Sequence, residues 1–259
     1  MPRTARELTD PYISTLTPPP RAGARVCDVC HGPTGTGFVR CLSCNRTTRQ
    51  VSRPVTLVVP ISLYVVPSQL HHVLRSYKDA PVAATRRELR ARVAALLLRF
   101  LSRHGDCICA AASSGWGVLT TVPSSRERGG THPLEQAIQM APALRDRHER
   151  LLRPGQGGLD HNRASDQGFE VARDVEAERI LLVDDTFTSG ARIQSAASAL
   201  QLAGATVVAG VIVGRVIDPT FRQESQAFWD AARDERFTFR ALLPRAVVRT
   251  APTPRPDRR

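Results

Sequence analysis

The sequence has few aromatic residues, a single lysine and no long hydrophobic run. Its most apolar stretch, residues 55–66, is interrupted by Pro60 and Ser62 and falls short of the ~18 consecutive apolar residues that a membrane helix needs. We therefore predict no membrane span. The N-terminus has no apolar segment of the kind found in secretory signals, which predicts a cytoplasmic location. In that reducing compartment the six cysteines are expected to be thiols or metal ligands.

The chain is strongly basic, with a formal net charge of +12. Residues 1–25 carry a net charge of +2 and residues 245–259 carry +4, so half of the excess lies at the two ends. Both ends contain clustered prolines and little apolar periodicity, so we predict a flexible N-terminal segment and a disordered basic tail over these ranges. The charge of the body does not by itself indicate nucleic-acid binding.

Between the two ends, strand patterns alternate with helix patterns. Apolar and β-branched runs predict strands at residues 55–66, 118–122, 179–184 and 206–213. Helical spacing of apolar residues predicts helices at residues 85–103, 134–152 and 191–203. Cys107 and Cys109 are two residues apart, as residues on one face of a further strand would be. We expect both to be buried, unreactive thiols. The order strand, helix, strand favours parallel pairing, so the expected fold is α/β, with a parallel sheet flanked by helices in residues 51–244.

Two Cys-x-x-Cys pairs, separated by ten residues, stand near the start of the chain. They are Cys27 with Cys30 and Cys41 with Cys44. Each pair can supply two thiolates to one tetrahedral ion, and the glycines between the pairs allow the chain to reverse. This pattern predicts a small zinc ribbon over residues 26–50, with structural Zn²⁺. Four thiolates leave no open position for catalysis, and His31 is expected to be exposed.

A second pattern lies in the sequence ILLVDDTFTSGAR of residues 180–192. A buried strand ends in Asp184 and Asp185, and a loop of hydroxyl residues leads through Gly190 into a helix. The helix N-terminus offers unpaired N–H groups and a positive dipole end to a phosphate. The two carboxylates would lie one ribose away and accept hydrogen bonds from its hydroxyls. The pattern predicts a site for a 5-phosphoribosyl group.

This segment closely resembles the signature with which type I phosphoribosyltransferases bind phosphoribosyl pyrophosphate (PRPP). The match covers residues 183–191, and Arg192 stands where that family commonly has a hydroxyl residue. The resemblance implies a phosphoribosyltransferase-like domain and Mg²⁺ carried with PRPP. The residues that it implies in PRPP binding are Asp184, Asp185, Thr186, Thr188, Ser189, Gly190, Ala191 and Arg192.

The pyrophosphate group must then be bound by residues at the end of an earlier strand. Residues 121–130 follow such a predicted strand and supply hydroxyls, arginines and glycines. Ser124 and Ser125 are candidate phosphate ligands, and Arg126 and Arg128 are candidate catalytic residues together with the acidic pair. A basic surface turn is the alternative interpretation of this segment. Lys78 is a further candidate phosphate contact, and a plain surface lysine is its alternative.

The order of these elements resembles the ComF family over residues 25–215. The four cysteines are followed by a Tyr77-Lys78 pair, then by Val122-Pro123 with Arg126 and Arg128, and then by the acidic-pair loop. ComF proteins join a zinc ribbon to a phosphoribosyltransferase-like domain and are linked to uptake of transforming DNA.

Two hypotheses follow from this resemblance. One is an enzyme that transfers a 5-phosphoribosyl group and releases pyrophosphate. The other is a ComF-like accessory protein with a regulatory or vestigial PRPP pocket, whose ribbon contacts single-stranded DNA or a DNA-uptake protein. Residues 128–136 (RGGTHPLEQ) stand where that family has an RGFNQ run. Residues 161–163 (HNR) stand where it has a basic segment.

Overall fold

The computed structural model describes residues 3–124 and 131–239. The strands are β1 (Val58–Tyr64), β2 (Val118–Thr121), β3 (Leu152–Pro154), β4 (Phe169–Val171), β5 (Arg179–Phe187) and β6 (Thr206–Val216). The α-helices are α1 (Ala5–Thr9), α2 (Leu42–Arg49), α3 (Gln69–Asp79), α4 (Ala83–Ala112), α5 (Pro133–Ile138), α6 (Pro142–Arg145), α7 (Ala191–Leu202) and α8 (Gln223–Asp234). Short 3-10 helices cover Asp10–Thr15 and Pro219–Phe221.

The central sheet has four strands in the order β1-β6-β5-β2, and every neighbouring pair is parallel. The prediction of an α/β fold with a parallel sheet flanked by helices is confirmed. Parallel strands that are covered on both faces form continuous apolar runs, which explains why the sequence pattern identified β5 and β6. Strands β3 and β4 form a separate antiparallel pair.

Side chains of β5 alternate between two hydrophobic cores. Val183 belongs to the core that contains Tyr77 of α3. Leu182 belongs to the core that contains Ile193 of α7 and Cys27 of the cysteine segment, residues 26–50. Since successive strand residues face opposite sides of a sheet, consecutive functional side chains at the end of β5 lie on opposite faces.

Two sequence-based element predictions are wrong. Cys107 and Cys109 lie within α4 rather than in a strand. The apolar stripe of α4 continues through His104 and Ile108 at helical spacing, and alanines, which favour helix, follow it. The helix predicted at residues 134–152 is broken into α5 and α6, with Pro142 at the start of α6, because proline cannot continue a helix from the preceding turn.

The N-terminal segment also differs from the prediction of a flexible lead-in. Helix α1 begins with a capping box between Thr4 and Glu7. Leu16 is buried in the core, and the carbonyl of Thr17 accepts a hydrogen bond of 2.8 Å from the backbone N–H of Leu63 in β1. These long-range contacts order the segment, and composition alone does not reveal them.

Within the described ranges, we find no helix that is both long and apolar enough to cross a membrane. The basic tail predicted at residues 245–259 lies outside the described residues.

Candidate functional site

The four cysteines predicted as metal ligands come together in the structure. Their Sγ atoms all lie within 4.8 Å of one another, and the Sγ atoms of Cys30 and Cys41 are 3.8 Å apart. Sulfur atoms that surround zinc tetrahedrally, each about 2.3 Å from the ion, lie roughly 3.8 Å from each other. A disulfide would instead need a separation of about 2.05 Å. The cluster can therefore bind a structural metal such as zinc.

The cluster is built from a turn and a helix N-terminus. Cys41 caps α2, and its Sγ accepts a hydrogen bond of 3.4 Å from the N–H of Cys44. Hydrogen bonds from neighbouring thiols, of which that with Cys27 is the strongest, hold the pKa of Cys30 well below its ordinary value. The same contacts raise the pKa values of Cys41 and Cys44. Four thiolates within 4.8 Å of one another would repel each other, so full ionisation requires a cation in the cluster.

His31, expected to be exposed, is buried instead. Its Nδ1 lies 2.9 Å from the carbonyl oxygen of Pro20, and burial lowers its pKa. The residue belongs to the packing between the N-terminal segment and the cysteine turn. It is not part of the four-cysteine group of potential metal ligands.

A cavity of about 220 Å³ opens where β5 gives way to α7. Seven of the residues predicted to bind PRPP line it, together with Asp160 and His161 from the loop between β3 and β4. The seven are Asp184, Thr186, Thr188, Ser189, Gly190, Ala191 and Arg192. The structure thus gathers most of the motif around one space.

The loop between β5 and α7 is shaped by Gly190. Its φ angle is +84°, and a Cβ atom built on it would lie 2.5 Å from Cζ of Phe187. Glycine is therefore required both for the left-handed backbone and for the close approach of the phenylalanine ring. Gly190 has no side chain to cap α7. The Ala191 N–H donates a long hydrogen bond of 3.5 Å to Oγ of Ser189, and helix geometry leaves the next two N–H groups without an intrahelical partner, so these can bind an anion.

The loop between β3 and β4 covers this turn. The backbone N–H of Asn162 donates a hydrogen bond of 3.1 Å to Oγ of Ser189, and the N–H of Ser165 donates one of 2.9 Å to Oγ of Ser195. His161 and Asn162 were not predicted as site residues. The available signal was their position shortly before the acidic strand, in the segment noted in the sequence as an altered basic segment.

The side chains of the two aspartates lie on opposite faces of β5. Asp184 lines the cavity. The Asp185 carboxylate accepts a hydrogen bond from the Tyr77 hydroxyl and forms an ion pair with the Lys78 ammonium, both on α3. Both acids were predicted to contact the ribose, whereas Asp185 is not among the residues that line the cavity. Lys78 lies against the acidic pair and is not a plain surface lysine.

The two acids also differ in acidity. Burial raises the pKa of Asp184 to about 7, against the opposing effect of the Arg192 guanidinium. Although burial opposes it, the Lys78 ammonium holds the pKa of Asp185 below its ordinary value, with help from the Tyr77 hydroxyl. Near neutral pH Asp185 is therefore ionised, whereas Asp184 is only partly ionised.

Arg192 joins the two strand ends around the cavity. One of its Nη atoms donates a hydrogen bond to the carbonyl of Pro123, just after β2. Its buried Nε has no hydrogen-bond partner within the described ranges. Ser124 is the last residue described before the gap. Ser125, Arg126 and Arg128, predicted to meet the pyrophosphate, lie outside the described residues.

His132 lies near the acidic pair but is not among the residues that line the cavity, and it was not predicted from the sequence. Burial lowers its pKa to about 4, with opposing contributions from Asp185 and Glu135. Its Nδ1 atom is buried and has no hydrogen-bond partner among residues 3–124 and 131–239. A lone histidine next to proline carries no sequence signal, and only the fold brings it near the acidic pair.

Comparison with known protein-family models finds no match to this chain. Curated proteins likewise give no match. The functional interpretation therefore depends on the motifs and the geometry described above.

Proposed function

We propose that this protein binds PRPP and acts as a phosphoribosyltransferase-like protein. One observation carries the proposal: a cavity of about 220 Å³ combines the N-terminus of α7, which Gly190 leaves without a side-chain cap of its own, with the carboxyl group of Asp184. An anion is favoured at the helix N-terminus by N–H groups that lack an intrahelical partner and by the helix dipole. An acid beside it can accept hydrogen bonds from sugar hydroxyls.

In this proposal the 5-phosphate contacts the backbone N–H groups at the start of α7. Thr188 and the Arg192 guanidinium flank it, since both line the cavity. The Asp184 carboxylate accepts hydrogen bonds from the ribose hydroxyls. Asp185 holds the Lys78 ammonium next to the site through their ion pair, so a positive charge is kept available for the pyrophosphate.

Transfer would proceed by displacement at C1 of the ribose. The bond from C1 to the pyrophosphate oxygen breaks, and its electron pair leaves with pyrophosphate. A nitrogen of the acceptor bonds to C1 through its lone pair and releases its proton to solvent. Mg²⁺ carried with PRPP would neutralise charge on the leaving group. Lys78 and the predicted Arg126 and Arg128 would add electrostatic stabilisation.

A direct test is calorimetric titration of Mg-PRPP into the wild type and Asp184→Asn. Replacing a carboxylate that accepts hydrogen bonds costs about 1.5–3 kcal/mol, so we expect the variant to bind roughly ten- to a hundredfold more weakly. Asp146→Asn is a suitable control, because Asp146 is exposed and its ion pair within the described residues is with the neighbouring Arg145. Absence of Mg-PRPP binding to the wild type would refute the proposal.

The raised pKa of Asp184 predicts a pH dependence. Since this pKa is about 7, we expect Mg-PRPP affinity to increase between about pH 6 and 8 as the carboxylate forms. Phosphate groups of the ligand also titrate near pH 6, so the informative quantity is the wild-type affinity relative to Asp184→Asn. A ratio that stays constant over this range would contradict the role of Asp184.

Stability without ligand should change in the opposite direction. A carboxyl group whose pKa is raised on folding from 3.8 to about 7 loses stabilisation as pH rises through that window. The free energy of unfolding of the wild type should therefore fall relative to that of Asp184→Asn between about pH 4 and 7. Urea unfolding at a series of pH values measures this difference.

The second candidate function is that of a ComF-like accessory protein that contacts single-stranded DNA. Phe38 of the cysteine segment is 70% exposed, and Val39 and Leu42 beside it are also exposed. An exposed aromatic ring can stack on a base. Phe38→Ala should then weaken binding of single-stranded DNA in a gel shift at moderate salt, while Leu202→Ala, another exposed apolar residue, should not. Lack of binding by the wild type would exclude this candidate.

A further inference from the structure

Arg215 is a buried cation between the four-cysteine cluster and the cavity. It lies near the end of β6, pairs in register with Phe187 of β5, and is only 8% exposed. Burial of a cation is costly unless it is paired and hydrogen-bonded. The contacts of this side chain therefore indicate which interactions compensate for burying its charge.

On one side, Arg215 holds the chain that leads into the phosphate loop. Its Nη1 donates hydrogen bonds to the carbonyls of Phe187 (3.2 Å), Thr188 (2.7 Å) and Val216 (2.7 Å). The guanidinium also lies over the Phe187 ring, 4.8 Å from its centroid. That ring is the one that packs against Gly190. One side chain thus fixes both the backbone and the ring on which the turn depends.

On the other side, Arg215 faces the cysteine cluster across Gly32. A Cβ atom built on Gly32 would lie 3.2 Å from Nη2 of Arg215 and 3.4 Å from Sγ of Cys30. The Nε of Arg215 is buried and has no hydrogen-bond partner within the described ranges. Although burial opposes it, the cysteines, led by Cys30, raise the pKa of Arg215. The guanidinium is thus placed to compensate the charge of the cluster.

We propose that Arg215 is a positioning residue through which metal in the four-cysteine cluster fixes the phosphate loop, so that the cavity binds phosphate ligands strongly only when the metal is present. A divalent ion with four thiolates keeps a net negative charge, and N–H donors around such a site stabilise it. Loss of the metal changes the charge and arrangement of the thiols that hold Arg215. The hydrogen bonds to Phe187 and Thr188 then lose their support.

The coupling rests on the proposed function only for the identity of the ligand. Its first test is therefore made without any ligand. Hydrogen exchange of a peptide that covers residues 186–192 is measured with zinc bound and after chelation. We expect exchange in the wild type to become at least tenfold faster on chelation. In zinc-loaded Arg215→Met it should already be fast, and chelation should add little. A peptide from the middle of α4 reports whether the domain remains folded.

Two further variants keep the test decisive. Arg99→Met is a matched control, because Arg99 also stacks over a phenylalanine, Phe239, and donates a hydrogen bond of 2.6 Å to Oγ1 of Thr9. It should behave like the wild type. Arg215→Lys, which retains the charge beside the thiols but not the forked donors, should keep its zinc and show intermediate exchange. This variant replaces Arg215→Met if the latter does not fold.

Binding equilibria provide a reciprocal test, because coupled sites change each other's affinity by the same factor. Saturating Mg-PRPP should raise the zinc affinity of the wild type, measured by competition with a chelator at equilibrium, raise it less in Arg215→Lys and leave it unchanged in Arg215→Met. Loop exchange that does not respond to zinc, or that stays slow in both zinc-loaded Arg215 variants, would overturn the proposal. If exchange responds as expected but Mg-PRPP does not bind the wild type, the coupling stands and the proposed function fails.

Discussion

Gly190→Ala is expected to lower Mg-PRPP affinity by roughly a hundredfold or more and to destabilise the fold. The new Cβ would meet Cζ of Phe187 at 2.5 Å, at a backbone φ of +84°. Left-handed backbone costs a non-glycine residue about 1–2 kcal/mol, and overpacking costs about 1–3 kcal/mol more. Relief requires a shift of the turn, which moves the N–H groups at the start of α7 away from the phosphate.

Gly204→Ala separates the two effects. Gly204 lies just beyond the other end of α7, with a φ angle of +90°, and its Cβ would lie 3.3 Å from Cα of Glu176. The backbone strain is similar, but the residue is not among those that line the cavity. Urea unfolding should show destabilisation of both variants, whereas calorimetry should show weak Mg-PRPP binding only for Gly190→Ala. Equal affinities in the two variants would contradict the phosphate-loop assignment.

The sequence predicts the centre of this fold better than its margins. The β5-α7-β6 unit could be identified because strands covered on both faces read as unbroken apolar runs. The prediction ended β6 at residue 213, yet the strand continues to Val216. Gly214 and Arg215 resemble a polar strand end, and only the structure shows that Arg215 is buried with partners on both sides.

The candidate site shows the same division. Residues close together in sequence, such as Thr188 and Gly190, could be assigned from local chemistry. The different environments of Asp184 and Asp185 depend on which element covers each face of β5, and α3 is distant in the chain. Tyr77 and His132 approach the acidic pair only through tertiary packing, so no local pattern identifies them.

Cys30→Ser is expected to abolish metal binding and to lower Tm by roughly 6–12 °C. Cys30, Cys27 and Cys44 are fully buried in the hydrophobic core that also contains Ile193 of α7. The cluster is therefore part of the domain core, and its loss reaches the phosphate-binding helix. Removing one ligand from such a site should cost at least about 3 kcal/mol, and each kcal/mol shifts Tm by about 2–4 °C in a domain of this size.

Cys107→Ser is the matched control, since Cys107 is a half-buried thiol in α4, outside the cluster. Metal analysis should find about one zinc ion per chain in the wild type and in this control, and almost none in Cys30→Ser. Thermal unfolding with and without a chelator should then give the same Tm for Cys30→Ser and two different values for the control. Zinc retained by Cys30→Ser would show that Cys30 is not a required ligand, and a chelator-insensitive wild type would show that the cluster is stabilised by thiol packing alone. The dependence of the phosphate loop on metal would then have no physical basis.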